Sequence, residues 1–407
     1  MKLIYPDFIL TPTALIQETA IAFDKEIIAM ASLSELQKRY PNAEYIKLPI
    51  GSLVIPGLIN AHVHLEFSAN KTSLTYGDFM PWLHSVIKNR ETLVGECSTE
   101  TMQEATQKML RSGTTTFATV SSNGLDLIAC EKAPQNVVFF NELIGSQAVM
   151  ADALFDDFQS RLAASDSVKR EGFQSGIAIH SPYSVHPILI EKAVQIAKKR
   201  SLPLSAHYLE SPAEREWLDT NEGDFKSFFK DFLKQDRAVN TAEEFINLFH
   251  NYPTLMTHVV QANESELEQL AQRGHTVIHC PISNRLLGNG AIDLDALDAK
   301  NINWLCATDG LSSNYKLDLF EEMKIALFMH SQTPLLPLAK KLFDSVTIKA
   351  AQALKLNTGS IEEGKNADML VIKLDEEPNE QLLLHLLLHN YPIDSVFING
   401  TQHNMEH

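Results

Sequence analysis

His62 and His64 stand two residues apart in Asn60-Ala61-His62-Val63-His64, directly after the apolar, β-branched run from Ser52 to Ile59. In an extended strand residues i and i+2 share a face, so both imidazoles reach one point at the strand's carboxyl end. A hydrogen-bonded histidine pair in a polar loop would explain those two residues alone. It does not explain why Leu204-Ser205-Ala206-His207, Leu255-Met256-Thr257-His258, Val277-Ile278-His279 and Trp304-Leu305-Cys306-Ala307-Thr308-Asp309 are also apolar runs ending in His or Asp. His62, His64, His207 and Asp309 together offer three neutral imidazoles and a carboxylate, a donor set suited to a single zinc or ferrous ion with one position left for water. Such a water ionises with a pKa of about 7 and becomes a nucleophile at neutral pH. Glu210, three residues after His207, is placed to carry a proton, with a plain surface glutamate as the other reading. His258 can hydrogen-bond the attacking water or the substrate, and Asp309 can both touch the ion and accept the water's proton.

These residues must be brought together by the elements that carry them. Between about 53 and 355 short apolar runs alternate with longer amphipathic stretches, the pattern of repeated βα units on a parallel sheet. The candidate strands are Leu53–Ala61, Thr114–Val120, Val137–Leu143, Gly176–Ile179, Leu202–Ala206, Thr254–Thr257, His275–Ile278 and Ile302–Ala307. Ile188–Lys199, with Ile190, Ala193, Val194 and Ala197 on one face, and Glu264–Gln272 read as helices between them. Eight such units predict an α/β fold, a (β/α)8 TIM-like barrel over residues 56–355 with its site at the carboxyl ends of the strands. Residues 1–55 and 356–407 contribute further strand candidates, Leu3–Leu10, Ala20–Phe23, Ile27–Met30, Met369–Lys373 and Ser395–Ile398, which predict a small β-sandwich domain built from both termini. The segment Asp375–Glu380 reads as a solvated loop. The aromatic stretch from Ala213 to Leu233, with Trp217, Phe225, Phe228, Phe229 and Phe232, fits either a lid over the pocket or an amphipathic helix packed on the barrel.

Bulk properties remove several function classes. A chain of 407 residues has a core large enough to need no disulfides, and Cys97, Cys130, Cys280 and Cys306 form no CxxC pair. A formal net charge of −17 argues against nucleic acid as a partner. No apolar run approaches the roughly 20 residues of a membrane span, and the first residues are too short a stretch for a signal peptide. The expectation is a soluble cytoplasmic protein.

With the site residues in order, Pro56-Gly57-Leu58-Ile59-Asn60-Ala61-His62-Val63-His64, His207 with Glu210, His258 and Thr308-Asp309-Gly310 resemble the amidohydrolase superfamily. They are most similar to its mononuclear aminohydrolase branch of adenosine, S-adenosylhomocysteine, guanine and chlorotriazine enzymes. Gly359–Asp368 looks like that family's return into the small β-domain. Binuclear members carry a carboxylated lysine after the fourth strand, whereas Gly176-Ile177-Ala178-Ile179-His180-Ser181-Pro182 has none, so the resemblance implies one divalent ion, Zn2+ or Fe2+, per chain. Within the branch, His64-Leu65-Glu66-Phe67-Ser68, His180-Ser181-Pro182-Tyr183-Ser184 and Cys280–Leu287 look most like the 6-aminodeoxyfutalosine deaminases of menaquinone biosynthesis. That implies a small-molecule nucleoside substrate whose 6-amino group is replaced by oxygen, giving futalosine. The alternatives within the same chemistry are deamination of adenosine, methylthioadenosine, S-adenosylhomocysteine or guanine; another amidohydrolase reaction, at an amide or carbon–chlorine bond, is the competing class.

The resemblance also implies contacts from His180 to the ribose and from Trp82 to the substrate, although Trp82 also suits plain helix packing. Ser283, Asn284 and Arg285 are the remaining substrate-binding candidates. A guanidinium fork suits a substrate carboxylate; a surface salt bridge is the other reading of Arg285. His64-Leu65-Glu66 matches half of a cytidine-deaminase-type zinc site, but the required Pro-Cys-x-x-Cys is absent. A barrel with a vestigial site would lack a ligand or Glu210, and none is missing. A homodimer is an open possibility for the assembly.

Overall fold

The computed structural model describes residues 1–405. Eight strands, β1 (Leu58–Val63), β2 (Thr114–Ser121), β3 (Asn136–Leu143), β4 (Phe173–Ile179), β5 (Leu204–Tyr208), β6 (Leu255–His258), β7 (Thr276–His279) and β8 (Trp304–Cys306), lie side by side in chain order. Every neighbouring pair is parallel. The sheet curls into a barrel, the expected fold. Its seam is fastened by Asn60, whose Nδ2 donates to Thr308 Oγ1 at 2.8 Å and whose Oδ1 accepts from the Thr308 N–H at 3.2 Å. The Asp309 N–H then donates to the His62 carbonyl at 3.1 Å, so β1 and the end of β8 are locked together where two candidate ligands sit.

Small and branched side chains fill the barrel: Ala61, Val120, Phe140, Ala178, Leu255 and Ala307 all belong to one buried cluster. Because side chains alternate along a strand, the inward positions two residues further on are Ser122, Glu142, His180, Thr257 and Asp309. Chemistry-bearing residues therefore form the layer directly above an apolar plug.

The first strand departs from expectation. Leu53–Ala61 is two strands, Ser52–Pro56 in a terminal sheet and β1 in the barrel, divided at Gly57. A Cβ on Gly57 would lie 2.2 Å from Thr115 Oγ1, so only glycine lets the chain turn this close to β2. The other seven strands lie within three residues of the expected bounds.

Both termini build the remaining sheets. A six-stranded sheet combines Phe8–Leu10, Leu15–Ile16 and Ser52–Pro56 with Met369–Lys373, Ile393–Ile398 and Thr401–Asn404. A four-stranded sheet holds Lys2–Ile4, Ala20–Phe23, Ile27–Ala31 and Glu44–Ile46. Ile4, Ile21 and Phe23 of the second sheet share a core with Val54, Met369, Val371 and Phe397 of the first. The expected run Leu3–Leu10 is broken at Pro6-Asp7. Proline brings no N–H to a ladder, and Asp7 Oδ2 instead accepts from the N–H groups of Gly51 (2.6 Å) and Ser52 (3.1 Å), carrying the chain from one sheet to the other.

Five helices bear on the site: α1 (Phe79–Glu96), α2 (Pro212–Thr220), α3 (Asp224–Leu233), α4 (Pro281–Leu286) and α5 (Leu319–Met329). The stretch 213–233 is thus two helices, parted where Asn221 (φ 58°) and Gly223 (φ 82°) turn left-handed. Trp217 stacks on Phe229 with ring centroids 5.4 Å apart, and Phe225 lies 4.8 Å from Tyr183. Phe232 is exposed. No helix among the described residues is long and apolar enough to cross a membrane, and all four cysteines are buried and free.

Candidate metal and catalytic site

The expected ligands meet at the carboxyl end of the barrel. His64 Nε2 lies 3.3 Å from His207 Nε2, and the Nε2 atoms of His62 and His64 each lie 3.6 Å from Asp309 Oδ1. His207 Nδ1 is 2.8 Å from the His180 carbonyl. A carbonyl only accepts, so Nδ1 carries the proton and Nε2 presents a lone pair. Buried His62 Nε2 has no hydrogen-bond partner. Burial pushes the pKa values of His62, His180 and His207 down, further lowered at His207 by the neighbouring imidazoles, so these rings are neutral. Converging nitrogen lone pairs call for a cation. A tetrahedral ion with metal–nitrogen bonds of about 2.0–2.1 Å spaces its ligand atoms about 3.3–3.4 Å apart; the His64–His207 separation of 3.3 Å lies in that range and the two to Asp309 are slightly longer, at 3.6 Å.

Asp309 is held by its surroundings. Its Oδ2 accepts from Ser283 Oγ (2.8 Å) and Ser313 Oγ (2.7 Å), and Oδ1 from the Gly310 N–H (2.8 Å). Burial would raise its pKa, but the nearby imidazoles of His62, His64 and His258 hold it well below the ordinary carboxylate range. A Cβ on Gly310 would come within 2.8 Å of His64 Cβ, so this glycine lets the His64 backbone lie against the β8 loop.

Glu210 lies beside His258. Its Oε1 is 3.5 Å from His258 Nε2 and accepts from Asn289 Nδ2 at 3.3 Å. Burial, then the charges of Asp309 and Glu214, raises its pKa well above the usual glutamate value. Burial pushes His258 down to about 4. The Glu210 turn is fixed from beneath by Glu214, which accepts from the N–H groups of Leu209 (3.1 Å) and Glu210 (2.7 Å). Leu209 (φ 49°), His258 (φ 75°) and Asp309 (φ 58°) all occupy the left-handed region, at a cost of about 1–3 kcal/mol each. Strain at three site residues marks a place where geometry is held against local preference.

The remaining candidates fall differently. His180 stands beside His207, ring centroids 5.3 Å apart, with its Nδ1 2.6 Å from Ser184 Oγ. Trp82 packs on Phe79 and donates from Nε1 to the Ser312 carbonyl at 2.8 Å, on the loop just past Asp309. Ser283 and Asn284 are buried and turned into the protein, Ser283 toward Asp309 and Asn284 between His258 (3.0 Å) and His279 (3.4 Å). Arg285 is exposed on α4 and has no side-chain hydrogen bond or ion pair among the described residues. Residues that sequence reasoning missed include Asn289, Ser313, Thr257 and Glu142. Thr257 Oγ1 is 3.4 Å from His62 Nδ1, and Glu142, with His180 and His207, forms a second donor cluster. Their one available signal was the inward strand register, which points Thr257 and Glu142 into the site layer.

Residues 53–402 match the model of the amidohydrolase family. The chain belongs to that family. It is 46% identical over 408 residues, all of both chains, to the aminodeoxyfutalosine deaminase of a Nitratiruptor species. It is 32% identical to an adenosine deaminase of Helicobacter pylori, over 95% of this chain and 94% of that one. Among solved structures, the amidohydrolase aligns with H. pylori aminofutalosine deaminase in complex with methylthio-coformycin at a TM-score of 0.93 and 31% identity, covering 99% of this chain and 100% of that one.

Proposed function

We propose that this amidohydrolase is a metal-dependent deaminase of a 6-aminopurine nucleoside, with 6-aminodeoxyfutalosine as substrate and futalosine, a precursor in menaquinone biosynthesis, as product. The observation that carries the reading is Glu210, a buried carboxyl whose pKa burial raises well above the usual glutamate value, 3.5 Å from His258 and beside the His/Asp donors. Amine loss from a purine ring needs such an acid at the ring nitrogen; simple lactam hydrolysis does not. The relatives named above support the substrate.

His62, His64, His207 and Asp309 would hold one divalent ion, zinc or ferrous iron. The chemistry that such an ion supplies is acidification of water to a pKa of about 7. Around it Asp309 accepts the water's proton, and His258, neutral and with Nε2 turned to the site, orients the water's oxygen toward C6 of the purine. Glu210 gives its proton to the adjacent ring nitrogen as the C6–O bond forms. The amino group then leaves as ammonia after taking a proton, so water in and ammonia out balance the reaction. His180 and Trp82 line the nucleoside's side of the site. Arg285 is the cation offered to the substrate's carboxylate, which a protein of net charge −17 would otherwise repel.

The H. pylori adenosine deaminase relative favours adenosine as the second reading. A panel of 6-aminodeoxyfutalosine, adenosine, methylthioadenosine, S-adenosylhomocysteine and guanine, followed by the ultraviolet change on amine loss, separates them. Highest kcat/KM on aminodeoxyfutalosine is expected; preference for guanine would overturn the nucleoside assignment.

A further inference from the structure

Behind His258 a file of buried polar groups runs away from the reaction centre toward the outside of the barrel. His258 Nδ1 is 3.0 Å from Asn284 Oδ1 on α4. Asn284 Nδ2 is 3.4 Å from His279 Nδ1 at the end of β7. His279 Nε2 in turn lies 3.1 Å from Nε2 of His330, which caps α5. His258, His279 and Asn284 are almost wholly buried, whereas His330 is partly exposed.

A carboxamide accepts only at its oxygen and donates only at its nitrogen, so its two partners must take opposite roles. Oδ1 facing His258 requires the His258 proton on Nδ1, leaving Nε2 bare toward Glu210 and the reaction centre. Nδ2 facing His279 requires a bare Nδ1 there, hence a proton on Nε2, donated to a bare His330 Nε2. The file has one consistent direction as drawn. Reversing it would turn the amide over and aim a His258 N–H, a donor, at the site where an acceptor is needed.

We infer that His279 and His330 are positioning residues: acting through Asn284, they hold His258 in the tautomer whose Nε2 enters the active site as an acceptor. Burial keeps His279 and His258 neutral, consistent with the single-proton rings that the file requires. This inference rests on the deaminase reading for its effect on rate, but not for the tautomers themselves.

The test is ring-nitrogen NMR of the zinc-loaded enzyme labelled with 15N-histidine, joined to kinetics of two variants. In the parent, Nδ1–H is expected on His258 and His330, and Nε2–H on His279. His330→Met, which removes the terminal acceptor, should mix the His258 tautomers and lower kcat about 10-fold with KM little changed, the lower end of what lost orienting partners cost. His330→Gln, whose side-chain oxygen still accepts, should restore both. A His258 that carries Nε2–H in the parent overturns the inference, as does an unchanged kcat in His330→Met. If His330→Met fails to fold, the parent spectrum decides by itself. Because tautomers are read without turnover, failure of the deaminase assignment would leave the spectrum as expected and is told apart.

Discussion

Replacing Glu210 by Gln isolates one proton. The amide is isosteric, and with its oxygen in place of Oε1 it keeps the 3.3 Å bond from Asn289 and the 3.5 Å approach to His258 Nε2. Nothing else in the site should move. The loss expected for a general acid is about 10²–10⁴ in rate, or about 3–5 kcal/mol. The structure argues for the upper half of that range: His258, pushed down to about 4, is almost entirely unprotonated at neutral pH, and Glu214 is turned toward backbone N–H groups, so no second acid replaces Glu210. The pH profile supplies the sign. Because burial raises the Glu210 pKa, the active, protonated form is present below that value, and parent kcat should fall as pH climbs through it; the variant should lack this limb. Stability runs the same way. The parent's contribution from this group is complete below the ordinary glutamate range and is lost as pH rises through the raised value, so the variant should melt no lower than the parent at alkaline pH. The assay is ultraviolet turnover beside metal content and thermal melting. A variant with intact metal and a rate within about tenfold of the parent would remove Glu210 as the acid.

Elemental analysis of active enzyme is expected to give one divalent ion per chain, with chelation abolishing turnover and metal addition restoring it; two ions per chain would show that Glu142, His180 and His207 also bind one. Gly310→Ala should push His64 from its place, and since a misplacement of about 1 Å can cost about 10² in rate, both metal retention on dialysis and kcat should fall. Retention equal to the parent's would mean that the β8 loop yields instead. Arg285→Met should raise KM for aminodeoxyfutalosine more than for adenosine, which has no carboxylate; equal changes would take Arg285 out of recognition.

The barrel was legible because His and Asp at the ends of apolar runs mark both the strands and their direction. The candidate donors were chosen for the same reason, since ligand chemistry restricts residue type severely, and His62, His64, His207 and Asp309 lie together at the carboxyl end of the barrel. Their supports were not legible in this way. Asn60 closing the seam, Glu214 holding the Glu210 turn and Ser313 fixing Asp309 act through one or two hydrogen bonds whose partners lie far away in sequence or around a tight turn, and no periodicity announces them. Ser283 and Asn284 show the same limit, since their motif places them near the site while only coordinates show them facing inward. The division of Leu53–Ala61 had a visible signal in Pro56-Gly57, but choosing two sheets over one bent strand required knowing that Thr115 crowds Gly57.

That division has a consequence for how the protein is made. Ser52–Pro56, joined to β1 through Gly57 alone, pairs parallel with Phe8–Leu10 on one side and antiparallel with Met369–Lys373 on the other, so residues more than 300 positions apart must meet before this sheet is complete. During synthesis the two histidines emerge early and β1 can pair with β2, yet one edge of Ser52–Pro56 stays unpaired until residues 369–373 have left the ribosome. Long-range pairing of this kind is slow, so completion of the sheet that backs β1 waits on nearly the whole chain, and a nascent chain stalled before residue 369 would carry His62 and His64 on a strand without its full frame.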